Sequence, residues 1–285
     1  MFERQRSGSV VCPGCGRLVG VHNERCPHCG RPSPGLFGYS RLLQGLTDGD
    51  RFVPFVIVVC SALYALTLLV GFRGASGGPM TFLSPSVEAV FAFGASGRVP
   101  VFEGGRWWTP LSASWLHGSL LHILFNMMWI RQLAPAVIRM FGAGRAVLIY
   151  LLAGVAGFVL TSSMGHWMPG LPRMLMGAPY TLGASASIFG LFGALIVYGR
   201  RTGSAALSRQ VWTWVGFIVV IGLVLPGIDN WAHLGGFAGG YAAASILDPL
   251  KPERAEHLLA ALIGLALSML AIVASLVHYF AYFRG

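Results

Sequence analysis

Seven stretches of this sequence stay apolar for close to the ~20 residues that an α-helix needs to cross a bilayer. They run over 52–72, 116–138, 146–164, 182–199, 211–225, 231–247 and 258–280. Lipid offers no partner to a backbone N–H or C=O, so such runs must fold as helices that satisfy their own backbones. Composition agrees. Only 11% of the 285 residues are charged, against about 25% in a soluble domain. The chain is therefore expected to be an all-α polytopic membrane protein, with the lipid bilayer as its first partner. A net charge of +10 does not imply nucleic acid, because the basic residues punctuate the apolar runs instead of forming one patch.

Residues 1–35 break the pattern. Cys12-Pro-Gly-Cys15-Gly and Cys26-Pro-His-Cys29-Gly are two short knuckles ten residues apart. Each aims two thiolates at one ion, and the glycine after it is expected to let backbone N–H groups approach the sulfurs. Cys12, Cys15, Cys26 and Cys29 make the closed tetrahedral set of a structural zinc, and the segment resembles the zinc-ribbon family. His22 and His28 are expected at the surface. Reduced thiols place this module in the cytoplasm, where a protein contact or a regulatory tether is its expected task. Residues 36–51 are expected to form a linker. No signal or transit sequence is read in the polar first 35 residues, which favours a bacterial inner membrane.

Charge sets the orientation. With the N-terminus inside, fifteen of the 20 Lys and Arg fall on inner segments, as topogenic charges do. The second, fourth and sixth segments then start on the outer side, which brings His122, Asn126, Ser185 and His233 to similar depths. Polar side chains at such depths are expensive and usually functional. Ser185 opens the fourth segment, where free N–H groups suit a developing oxyanion. Ala232, Gly236 and Gly240 recur at four-residue spacing in the sixth segment and face Gly190 and Gly193 of the fourth, so the two backbones are expected to approach closely. That approach brings the His233 imidazole within reach of the Ser185 hydroxyl, the minimum for nucleophilic acyl transfer. His122 and Asn126 lie one turn apart on one face and can donate to an oxyanion. His117 is expected either to pack or to take a direct part.

The pattern His-x4-His-x3-Asn, then Gly-Ala-Ser-Ala-x-x-Phe-Gly, then Asn-x-Ala-His-x-x-Gly-x-x-x-Gly resembles the rhomboid family of intramembrane serine proteases. The resemblance covers roughly residues 52–250. It implies a six-helix bundle around a water-filled cavity open to the outer side, with a seventh helix in 251–285 appended. It also implies that Ser185 is the nucleophile and His233 the general base. The Ser185 N–H, His122 and Asn126 would form the oxyanion site, Phe189 would pack beside the base, and no cofactor would be required for catalysis. The substrates implied are transmembrane proteins, cut near the outer face after entering beside the fifth segment.

Two residues depart from that family. Ala186 stands where a glycine is usual; its added methyl is small and expected to be tolerated, with substrate backbone as the neighbour it would otherwise crowd. Trp107-Trp108-Thr109 replaces Trp-Arg, with Arg106 shifted ahead, which bears on how the long outer loop 73–115 is anchored. Ser187 is expected to pack, and Asp229 to cap the sixth segment rather than complete a triad. The seventh segment offers no obvious functional residue. With no acid deep in a span and no His-Glu-x-x-His, aspartyl and metalloprotease chemistry are excluded.

Overall fold

The computed structural model describes residue 5 and residues 7–35, 51–72, 81–170, 176–225 and 227–283. The expected linker, apart from Arg51, lies outside them, as do Arg73, Arg173, Pro226 and Arg284. A two-stranded antiparallel hairpin, β1 (Ser9–Val11) and β2 (Leu18–Gly20), pairs Val10 with Val19. The helices follow: α1 (Phe52–Val70), α2 (Val87–Phe93), α3 (Thr109–Ser112), α4 (Leu120–Phe141), α5 (Ala143–Trp167), α6 (Ser185–Thr202), α7 (Ala205–Val224), α8 (Asn230–Ile246) and α9 (Ala255–Phe283). Five of them, α1, α4, α5, α7 and α9, are long and apolar enough to cross a membrane. The other two long helices, α6 and α8, have 18 and 17 residues and carry glycines and, in α6, Arg200-Arg201. Protein rather than lipid surrounds α6, which is buried almost continuously from Ala186 to Val197.

Local chemistry sets the helix starts. Ser119 accepts from His122 N–H and begins α4, leaving residues 116–118 outside a helix that the apolar run alone started at 116. Ser204 caps α7 through Leu207 N–H and moves its start ahead of the apolar run. Asp229 caps α8 through Ala232 N–H at 3.0 Å, as expected. Gly142 ends α4 and opens α5 at φ +91°, where a side chain would meet the Glu253 carboxylate.

Glycines bring the middle helices together. A Cβ on Gly240 would lie 2.2 Å from Gly190 Cα, and one on Gly236 would lie 2.1 Å from Ala186 O. Gly193 meets the backbone of Phe237 and Tyr241. The approach of α6 to α8 read from the spacing is present, and α5 joins it: Gly157 faces Ala232 O, and Gly235 faces Ala156 O. The result is three backbones in direct contact, the close packing that draws helices together in lipid. The outer rim is looser. Only Val211, Val215 and Gly222 of α7 are buried, and Trp214 ties that helix to Trp129 and Phe192 with ring centroids at 5.8 and 6.2 Å.

Arg145, at the end remote from Ser185, is only 2% exposed. Its guanidinium donates to the carbonyls of Phe141, Asp248, Lys251 and Pro252, and its N–H meets Glu253 Oε1 at 2.8 Å. A charge read from sequence as topogenic thus also plugs the joint between α4, α5 and the turn into α9. Burial pushes the Glu253 carboxyl above its usual range, against the pull of the Arg145 N–H. The hairpin module touches this end through Arg31 Nη1 and Glu256 Oε1, 2.8 Å apart.

Two substitutions test the packing. Gly240→Ala, forced into Gly190, should lower the thermal unfolding midpoint by the equivalent of about 1–3 kcal/mol. Gly216→Ala, with nothing within 4 Å, should leave it unchanged or slightly raised. Equal effects would mean that the glycine contacts do not hold the bundle.

Candidate functional site

A hydroxyl and an imidazole meet where two helices begin. Ser185 is the first residue of α6, and its Oγ lies 2.9 Å from Nε2 of His233, in the first turn of α8. Phe189, one turn after Ser185, stacks on that imidazole with centroids 4.2 Å apart and planes 10° apart. The hydrogen bond and the stack together fix both the position and the plane of the ring. His233 Nδ1 is buried without a hydrogen-bond partner among the described residues. Asp229 does not reach it: Oδ1 of Asp229 accepts from Ala232 N–H and from Thr161 Oγ1 at 2.9 Å.

Opposite the serine stands α4. Gly118 N–H donates to His122 Nδ1 at 3.4 Å, which leaves Nε2 as the protonated nitrogen of a neutral ring. That nitrogen faces Gly183: a Cβ built there would lie 2.5 Å from His122 Nε2 and 3.7 Å from Asn126 Nδ2. Gly183 has φ +125°, so both its conformation and its neighbours exclude a side chain. Asn126 Nδ2 is buried and unpartnered among the described residues. Two N–H donors therefore crowd the backbone two residues before Ser185, whose own N–H has no intrahelical partner at a helix start. An alcohol with a base on one side and unspent donors on the other is equipped for a transient oxyanion.

His117 lies in the turn before α4, fully buried, its ring edge-on to His122 at 5.2 Å. It packs against His122, and both its ring nitrogens are buried without hydrogen-bond partners among the described residues. Ser187 points elsewhere, toward Ser114 Oγ at 3.3 Å. The Ala186 methyl does not crowd the cleft: Ala186 is fully buried with Ala113, Phe158 and Ala232, next to a Gly157 that leaves it room. Two contributors were missed in the sequence. Gly183 could have been found, since a glycine two before the serine marks a tight turn. Thr161 could not, because its Oγ1 joins Asp229 to Ala178 N–H only in the folded chain.

The four knuckle cysteines converge. Cys12 and Cys29 Sγ are 3.8 Å apart, Cys15 and Cys26 Sγ 3.7 Å, and all four lie within 4.8 Å of one another. Zn–S bonds of about 2.3 Å place tetrahedral sulfurs about 3.8 Å apart, so the set fits zinc. Desolvation opposes ionisation of Cys26, yet the N–H groups of His28 and Cys29 and the thiols of Cys29 and Cys12 bring it down to about 7. Gly14 N–H reaches Cys12 Sγ. The glycines after each pair, Gly16 and Gly30, instead turn the chain at φ +73° and +72° and donate to the carbonyls of Cys12 and Cys26. His22 and His28 are exposed and outside the cluster.

A family profile, the Rhomboid domain, matches residues 104–249. Rhomboid protease GluP of Bacillus subtilis (strain 168) is 33% identical over 192 residues, covering 65% of this chain and 35% of GluP. RHOMBOID-like protein 4 of Arabidopsis thaliana is 31% identical over 172 residues, covering 58% of this chain and 40% of that protein. YdcA of Bacillus subtilis is 31% identical over 156 residues, 53% of this chain and 71% of YdcA. The chain spans well under half the length of the first two.

With so small an apolar core, Val10, Val19 and Val21 beside the cysteines, the N-terminal module is expected to depend on a bound metal. The purified full-length protein should carry one zinc per chain by elemental analysis. Cys26→Ser should lose it and expose residues 1–35 to protease while the helical bundle stays folded. Full metal content in Cys26→Ser would show that the four thiols do not act as one site.

Proposed function

The chain belongs to the rhomboid family, and from that premise we propose that it is an intramembrane serine endopeptidase working with a Ser185–His233 dyad. The observation that carries this reading is the 2.9 Å contact between Ser185 Oγ and His233 Nε2. Neutral His233 takes the hydroxyl proton as Oγ attacks the scissile carbonyl carbon. The Ser185 N–H, His122 Nε2–H and Asn126 Nδ2–H receive the oxygen that becomes negative. His233 then passes its proton to the leaving amine, the amide C–N bond breaks, and water cleaves the resulting ester by the same base. A dyad suffices because the stack on Phe189 orients the ring, the task an aspartate performs in a triad.

Substrates are transmembrane protein segments, cut near their outer-facing ends. A helix keeps its peptide carbonyls hydrogen-bonded, so the segment must unwind before attack, and helix-breaking stretches enter beside α7, the long helix with the fewest buried residues in its span. The protein sits in a bacterial inner membrane, N-terminus in the cytoplasm. Arg145, Arg201, Lys251 and the cysteine module gather at one end, and Ser185 lies toward the other. In domain terms, 1–35 form the zinc ribbon, 36–51 the linker, 52–250 the six-span protease core and 251–285 the seventh span and C-terminus. The zinc is structural, holds a cytoplasmic protein contact, and takes no part in hydrolysis.

Purified protein mixed with a model transmembrane substrate should cleave it, and a fluorophosphonate probe should label Ser185. Ser185→Ala and His233→Ala should each abolish both. Gly183→Ala, which drives a methyl into His122 Nε2, should slow cleavage by about 10²–10³, as loss of an oxyanion donor does. Binding of the substrate without cleavage or labelling would make the chain a catalytically silent rhomboid-like protein that holds transmembrane helices.

A further inference from the structure

The seventh helix, α9, lies beyond the matched Rhomboid domain, yet it reaches the loop that carries the serine. Arg106 is fully buried in the outer loop. Its Nη1 donates to Phe91 O at 2.7 Å and its Nη2 to Ser275 O of α9 at 3.1 Å. Its Cζ lies 4.1 Å over the Phe91 ring. No carboxylate pairs with it among the described residues. A desolvated cation without an acid is costly, so two carbonyls and a ring face must offset that cost, and they do so only while α9 and α2 hold their places. Trp108 adds a second tie, Nε1 donating to Ser275 Oγ at 3.0 Å. At Gly94, φ +103°, a Cβ would meet both Ser112 Oγ and Ser275 Oγ, so the loop passes against α9 with no room to spare.

From there the bonding runs to the active-site loop. Thr109 Oγ1 lies 2.9 Å from Arg106 O and 3.3 Å from Ser96 Oγ. Ser96 exchanges two backbone hydrogen bonds with Thr181, at 2.9 and 2.8 Å. Arg98 and Val99 N–H reach the carbonyls of Ala178 and Pro179. Gly183 N–H then donates to Ala113 O at 2.9 Å, immediately after α3. The segment that delivers Gly183 and Ser185 is thus strapped to the outer loop, and the outer loop is pinned to α9.

We propose that α9 is a positioning clamp for the nucleophile, acting through Ser275 on Arg106 and Trp108. This rests on the protease reading above. Neither Arg106 nor Trp108 touches the reacting atoms, so both are positioning residues. Their contribution is to hold the 181–185 segment at the distance from His233 and His122 that the chemistry needs. Spatial continuity alone does not prove coupling, so the test measures it.

Full-length protein in detergent is compared with Arg106→Lys, Trp108→Phe, Ser275→Ala and the Trp108→Phe/Ser275→Ala double variant. Three quantities are read: the rate constant for fluorophosphonate labelling of Ser185, the kcat and KM for a model substrate, and the thermal midpoint. Arg106→Lys keeps the charge but cannot bridge both carbonyls, and should slow labelling and kcat by about 10–100-fold with KM nearly unchanged, the scale of a small misplacement of reacting groups. Trp108→Phe and Ser275→Ala should each slow both steps by a smaller factor. Their double variant should be no worse than the worse single, because one bond is removed twice. Unchanged labelling rate constants in variants that stay folded, or a loss confined to KM, overturn the clamp. If Arg106→Lys does not fold, the Trp108–Ser275 cycle decides, and additive or absent effects there overturn it. Wild-type protein that never labels overturns the protease reading and the clamp with it, whereas labelled wild type with undisturbed variants overturns the clamp alone.

Discussion

The close contact of α6 and α8 underlies everything else in this molecule. Ser185 and His233 stand at the starts of those helices, and their 2.9 Å separation exists only because Gly190, Gly236 and Gly240 let backbone lie on backbone. Between helices in lipid there is little hydrophobic drive, since lipid tails are as apolar as leucine. Close dispersion contact has to do the holding. The same contact that stabilises the bundle therefore sets the distance over which a proton can pass.

Around that contact, polar groups inside the bundle are assigned in two ways. Some make several hydrogen bonds and hold the frame, although Arg106 Nε and Asp229 Oδ2 are buried without partners among the described residues. Thr161 bridges Asp229 and the Ala178 N–H, Arg145 closes the joint ahead of α9, and Arg106 pins the outer loop. Others flank the serine loop with unspent capacity. Asn126 Nδ2 and His233 Nδ1 are both buried without partners among the described residues. An unmet buried donor is costly, and the cost is tolerable where the rest of the fold over-determines the geometry. Of the two, Asn126 Nδ2 is the one beside the serine loop, 3.7 Å from where a Cβ on Gly183 would lie.

Much of this was legible beforehand, for particular reasons. Ser185 and His233 could be placed together because period-four small residues in two apolar runs predict which helices touch, whereas Phe189 beside the base came from the family resemblance. That His122 and Asn126 share one face followed from helical spacing. The cysteine knuckles declared themselves by spacing. Other features were out of reach. The outer loop is too irregular for periodicity to show that Arg106 enters the core, and Ser275 reads as one more serine in an apolar helix. The facing of the Ala186 methyl was also out of reach, because a sequence does not say which way a first-turn side chain points. In the fold it faces the space that Gly157 leaves.

The amino-acid order alone determined that this chain lies in membrane helices, that four thiols are spaced to share one ion, and that an alcohol and an imidazole open two apolar runs. Those properties depend on local period and composition, which act over a few turns of chain. Only the tertiary structure decided that His233 Nδ1 meets no acid among the described residues, that Gly183 leaves space for the ring of His122, and that α9 bonds the outer loop through Ser275. These are contacts between residues far apart in sequence, such as Arg106 and Ser275, and their partners are chosen by packing that no local pattern encodes.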